Sequence, residues 1–235
     1  MTRFGQLIVS GVSIAGLLGA IALLSGCGLG RTATATPAAT TPSGSLVAGA
    51  CTATDVAGAM TAAVTFQNDA SSYRTDYSST VAGLTQTERV DLQRPDRIHV
   101  TGRSGGSSFE FIAVGTTLWR KSSGNWVVAS SSFDFRSLLE QSGQLNENTV
   151  TEATFTKVSV DENTKVDGQP TVLYRFHQSI PSQMEADVQF WLRPDSCEPV
   201  KSITTFTAAS GGANSGDQRT TAWSTWNSVT ILPPV

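Results

Sequence analysis

Thr87–Ser130, TERVDLQRPDRIHVTGRSGGSSFEFIAVGTTLWRKSSGNWVVAS, is the stretch whose reading decides the fold. Apolar and polar residues alternate with period two between Gly, Pro, Asn and Ser punctuation, which predicts four or five short antiparallel strands in succession. Successive side chains of a strand point to opposite faces, so Phe109, Phe111 and Ala113 fall on one face and Ser108, Glu110 and Ile112 on the other. Trp119 shares a face with Thr117 and Lys121, and Trp126 shares one with Val128, across a turn at Ser122-Ser123-Gly124-Asn125. The expected product is a curved, aromatic-lined meander whose apolar face needs a cover.

Upstream, Thr52 to Ala70 supplies a candidate cover. Thr54 or Asp55 can cap a helix in which Val56, Met60, Ala63, Val64 and Gln67 recur near helical spacing, and its small residues would let it lie close to a sheet. Ser71–Ala82 and Thr85–Gln93 read as the first two strands. Downstream, Ser132–Gln144 breaks the alternation, and Phe133, Phe135, Leu138 and Leu139 predict a second, shorter helix or lid. Strands are then expected at Val150–Val160, Thr171–Gln178, Ala186–Arg193, Val200–Ala208 and Thr220–Leu232. Asp161–Gly168, Pro194–Ser196 and Ser210–Gly216 read as loops by composition. The last two strands, rich in Thr and Trp, suit the edge of a large open sheet with one wet face.

Ahead of the domain, Arg3 and the apolar run Leu7–Leu24 form an export signal. Leu24-Ser25-Gly26-Cys27 resembles the lipobox of bacterial lipoproteins. The resemblance implies diacylglycerol on the Cys27 sulfur, cleavage before Cys27 and often a third acyl chain on the new amine. Two or more chains anchor stably without a spanning helix; the alternative is an uncleaved transmembrane anchor. The expected organisation is a signal peptide over residues 1–26, a lipidated Cys27 with a Thr/Ala/Pro/Ser tether over 27–49, and one domain over 50–235. With Cys27 lipidated, two of the three cysteines remain, and in an exported protein Cys51 and Cys197 are most simply a disulfide.

Several motifs in this order resemble the bacterial lipoproteins of the LolA and LppX/LprG type. They are Gln93-Arg94-Pro95-Asp96-Arg97-Ile98 and Val114-Gly115-Thr116-Thr117-Leu118-Trp119, then Phe190-Trp191-Leu192-Arg193 leading to Glu198-Pro199-Val200-Lys201, and the closing Trp226–Pro234. The resemblance spans about Val56 to Pro234. It implies an α+β fold: a large curved antiparallel sheet, an open half-barrel, with one or two helices on its concave face. It also implies a carrier of lipid. The Cys51–Cys197 pair and the scarcity of charged residues depart from that pattern.

The formal charge of −3 with 15% charged residues leaves no basic stripe for nucleic acid. His99 and His177, the two histidines, lie on alternating strands without a nucleophile motif, and no Gly-x-Ser-x-Gly elbow, P-loop or His-Glu-x-x-His occurs. Asp161, Glu162 and Asp167 lack the calcium-loop spacing and read as a solvated acidic turn. No enzyme, metal or cofactor is expected. Met60, Val64, Phe109, Phe111, Trp119, Trp126, Val172, Tyr174, Phe176, Val188, Phe190, Leu192 and Ile203 are the candidates to line an apolar cavity between sheet and helix, or else simply to form the core. The functional expectation is a lipid-anchored extracytoplasmic protein that binds or transfers a lipid or acylated ligand. A protein partner in export is a further candidate. The alternative is an interaction or sensor module of the same fold with a filled core.

Overall fold

A computed structural model describes residues 51, 55–81, 83–132, 134, 145, 150–180, 184–207 and 215–234. The expected signal and tether, and nearly all of the second helix or lid expected over Ser132–Gln144, lie outside them. The helix α1 spans Val56–Asp69, and its buried face is Val56, Ala59, Met60, Ala63, Val64 and Gln67. Asp55 occupies the N-cap without a side-chain hydrogen bond, so packing rather than capping holds the helix. Its exposed threonines turn back on the helix, Thr61 Oγ1 donating to Ala57 O at 2.8 Å and Thr65 Oγ1 to Thr61 O at 3.0 Å.

Eleven strands follow. They are β1 (Ser72–Val81), β2 (Leu84–Gln93), β3 (Arg97–Ser104), β4 (Ser107–Val114), β5 (Thr117–Ser122), β6 (Asn125–Ser130), β7 (Thr154–Val166), β8 (Gln169–Ile180), β9 (Met184–Leu192), β10 (Pro199–Phe206) and β11 (Gln218–Ser224). They form one antiparallel sheet in the order β6-β5-β4-β3-β2-β1-β11-β10-β9-β8-β7. The expected meander is present as β2 to β6. The architecture is a large open antiparallel sheet with a helix against it.

Three sequence expectations are corrected. First, β10 and β11 are not edge strands: β11 pairs with β1, Trp223 opposite Thr75, so the chain's last strand returns to its first and, among the described residues, the edges are β6 and β7. Second, Asp161–Gly168 is not a loop. β7 runs to Val166, and only Asp167 and Gly168 turn, both with positive φ (51° and 77°). Ser123-Gly124 makes the same turn (51° and 85°) between β5 and β6. Both are two-residue hairpin turns whose twist matches that of the strands they join, and glycine takes the second position without strain. Third, the last strand ends at Ser224 rather than Leu232, because Thr225 and Asn227 take positive φ (59° and 57°) and redirect the chain. The redirected segment crosses the end of β1 to β3: Asn227 N donates to Ser72 O at 2.8 Å, Ile231 N to Gln93 Oε1 at 2.8 Å, and Arg97 Nη1 to Ile231 O at 2.8 Å.

One buried cluster joins the inner face of α1 to the same face of nearly every strand, drawing on Cys51 through Trp223. Cys51 and Cys197 are disulfide-bonded across a sequence separation of 146, as the cysteine count predicts. The bridge fastens the residues ahead of α1 to the β9–β10 turn.

Candidate functional site

The site is the concave face of the sheet beneath α1. Register fixes its membership. Val90 is opposite Val100, which is opposite Phe111; Ile98 is opposite Ala113, which is opposite Leu118. Across the other half, Val172 is opposite Leu192, Tyr174 opposite Phe190, and Phe176 opposite Val188. Strand by strand these residues share one face and join the buried cluster with Met60 and Val64 of the helix. Phe155 packs edge-on against Phe176 with ring centroids 5.2 Å apart, and Phe190 lies 5.8 Å from Trp223. Phe109 is half-buried on the same side. It lies across Gly102, where a Cβ would stand 2.3 Å from Phe109 Cζ and 2.8 Å from Thr87 O, so only glycine admits the ring there.

Ten of the thirteen proposed lining residues are thus brought together; Trp119, Trp126 and Ile203 are not. Trp119 is opposite Ile112 on one side and Val128 on the other, and Trp126 is opposite Lys121, all on the convex face. Ile203 is opposite Gln189 and Thr220, whereas its neighbour Ser202 is opposite inward-facing Phe190. The period of two that assigned these residues to strands leaves open which side each strand turns inward.

Polar groups organise the margins of this face. Tyr174 Oη donates to Cys51 O at 2.7 Å, and burial pushes that hydroxyl up to about 12. Trp223 Nε1 donates to Gln67 Oε1 at 3.2 Å, while Gln67 Nε2 donates to Leu145 O at 3.2 Å. Arg94 closes the helix, Nε donating to Ala70 O at 3.1 Å and Nη2 to Gln67 O at 3.3 Å, a cation where the helix dipole is negative. Tyr73 is fully buried with its hydroxyl unbonded among the described residues, and burial raises its pKa above the ordinary value. Glu88 is buried on the concave side, accepts from Gln86 Nε2, and is raised by desolvation.

The histidines lie on the other face, each held by carboxylates that the sequence reading did not pair with it. His99 Nε2 is 3.0 Å from Glu110 Oε1, and Glu110 also receives Lys121 at 2.8 Å. His177 sits between Asp187 (2.9 Å) and Glu185 (2.7 Å), and its hydrogen bonds, first to Asp187 and then to Glu185, raise its pKa. Cross-strand register joins these groups; in sequence they are eight to eleven residues apart. A cleft of about 600 Å³ on the convex side is lined by polar residues including Asp76, Arg89, Thr101, Arg103, Glu110 and Lys121. Among the described residues no three His, Cys, Asp or Glu side chains are grouped to hold a metal ion. What the concave face offers is apolar contact.

No protein-family profile matches this chain, and no curated protein matches it. Solved structures do. Lipoprotein LppX of Mycobacterium tuberculosis aligns at 14% identity with a TM-score of 0.53, covering 75% of this chain and 97% of its own. LprF from Mycobacterium bovis aligns at 12% identity with a TM-score of 0.54, covering 76% of this chain and 95% of its own. Likeness at this identity is one of fold, and it extends over nearly the whole of both relatives. The chain has the LppX-type fold that its sequence motifs resemble.

Proposed function

We propose that this chain is a membrane-anchored extracytoplasmic lipoprotein that binds or transfers a lipid, or another hydrophobic ligand, on the concave face of its sheet without catalysis. Cys27 carries the acyl anchor and residues 28–49 form the tether.

One observation carries the reading. Among the described residues one 14-residue helix lies against an apolar face of eleven strands. Such a helix is about 21 Å long and about 10 Å thick, and the sheet measures about 48 Å across its strands. That helix by itself is shorter and narrower than the face it lies on. Its inner side sets two small residues, Ala59 and Ala63, among Val56, Met60, Val64 and Gln67, so an outward shift of the helix would open contact area for an acyl chain. Burial would then return about 25 cal/mol per Å² of apolar surface, with no covalent step. The disulfide, the LppX-type fold and the lipobox resemblance all support an extracytoplasmic setting.

A second reading, an extracytoplasmic interaction or sensor module, is favoured by the close burial of Val64, Phe111, Val172, Tyr174, Phe190 and Leu192. Native mass spectrometry separates the two. Leu46–Val235, which contains every residue of the described core, would be purified from a bacterial host and then extracted with organic solvent. Lipid co-purifying at near one per chain, and lost in a folded Ala63→Trp variant, supports the carrier. A lipid-free protein that also ignores added fluorescent lipids refutes it and directs the search to protein partners.

A further inference from the structure

We propose that the β5–β6 hairpin, Thr117–Ser130, is a docking tip that seats in the headgroup layer of an anionic lipid surface; the proposal rests on the membrane anchoring put forward above and adds the surface by which the domain would meet the bilayer.

The two free edges of the sheet are built differently. β7 is broken twice in register, at Thr156/Ser159 and Asp161/Thr164, and carries Lys157, Asp161, Glu162 and Lys165. These features keep an edge from associating. β6, NWVVAS, has no charge and no proline, and Val127 and Val128 are 42% and 61% exposed. The two valines point to opposite faces, so each side of the tip carries one exposed valine. Trp119 and Trp126 stand half-buried beside Val128, and Lys121 Nζ lies 5.5 Å above the Trp126 ring. Arg120, opposite Val127, is exposed and has no ion pair among the described residues.

Charge selects the occupant. From Phe111 to Phe133 the only charged residues are Arg120 and Lys121, within a chain of net charge −3. Lys121 is paired with Glu110 at 2.8 Å, which leaves Arg120 as the hairpin cation without an acid partner among the described residues; tryptophan, exposed aliphatics and such a cation suit the interface of an anionic bilayer. The outer backbone of β6, unpaired among the described residues, rules out hydrocarbon depth and sets the tip among headgroups, where water still reaches it. The tether permits this. Cys51 is fastened beside β10, seven strand spacings or about 34 Å from β6. The chain from Cys27 to Cys51 can extend to about 80 Å.

The test uses the full chain, held in phosphatidylcholine vesicles by its own N-terminal segment, with and without phosphatidylglycerol. Tryptophan fluorescence is read against doxyl-labelled lipid. The native chain should be quenched, more strongly with phosphatidylglycerol and less in high salt. Trp119→Phe/Trp126→Phe should lose most of the quenching, and so should Val127→Asp/Val128→Asp and the milder Val127→Ser/Val128→Ser, which alter exposed residues only. No quenching of the native chain, or equal quenching in all variants, overturns the proposal. So does crosslinking of β6 to a second copy or to a partner strand in the absence of quenching. The extraction experiment above keeps the two readings apart: quenching without co-purified lipid retains the tip and removes the cargo, whereas co-purified lipid without quenching removes the tip alone.

Discussion

Breaking the Cys51–Cys197 bridge should be the most costly change that leaves the sheet itself untouched. The bond closes a loop spanning 146 residues of sequence, and chain entropy for such a loop amounts to about 17 cal/mol/K, or about 5 kcal/mol at 25 °C. Both cysteines are buried, so the suitable variant is Cys51→Ala/Cys197→Ala, which places no new polar group in the core. Urea unfolding of this variant should lose up to about 5 kcal/mol relative to the oxidised native chain. The reduced native chain should show a similar loss. Tyr174→Phe removes the bond from Tyr174 Oη to Cys51 O and should cost about 1 kcal/mol alone. It should cost less in the cysteine-free background, where the backbone at position 51 is no longer moored and the two changes are coupled. A loss under about 1 kcal/mol in the cysteine-free variant would refute the entropic reasoning. It would mean either that the reduced chain keeps these ends together or that the native bond stores compensating strain. If α1 guards the concave face, the same variant should also exchange a fluorescent fatty acid faster than the native chain.

Two further outcomes can be checked directly. Arg94→Ala removes two donors and a cation from the C-terminal carbonyls of α1 and should cost about 1–2 kcal/mol in urea unfolding; no loss would show that the last turn of the helix is held by the Phe66–Trp226 contact, rings 5.0 Å apart, rather than by the arginine. For His177, the raised folded-state pKa gives stability that is complete below the ordinary 6.5 and lost as pH rises through the folded value. Glu185 is lowered, chiefly by Ser179 and then His177, so its share is present above the ordinary 4.5 and lost on acidification through the folded value. The melting temperature of the native chain should therefore exceed that of His177→Gln most between about pH 4.5 and 6.5, and a difference that grows above pH 7 would refute the assignment.

Much of the fold is legible because it depends on local rules. Alternation marks β2 to β6, helical spacing marks the buried face of α1, and paired turn residues such as Ser123-Gly124 fix hairpins regardless of what lies across the sheet. Composition is a poor guide to conformation in two segments. Asp161–Val166 is polar because β7 is an exposed edge strand, and a solvated strand and a loop have similar compositions. Past Ser224 the alternation of Val229 and Ile231 continues, but the positive φ of Thr225 and Asn227 ends the strand.

The candidate site divides along the same line. That apolar strand faces and a small-residue helix would meet follows from hydrophobic patterning alone, and so does the pairing of the only two cysteines left after the lipobox. Which residues meet does not. Period two sorts a strand's residues into two sets without saying which set faces inward, and only the register of Trp119 against Ile112, or of Phe190 against Ser202, decides it. The return of β11 to β1, which leaves β6 and β7 as free edges, and the carboxylates set around His99 and His177 are long-range or cross-strand pairings of the same kind. Elements and their apolar stripes are legible in the chain because they depend on neighbours within a few residues; the inward face, the edge strands and the partners of each charge arise only where strands meet across the sheet.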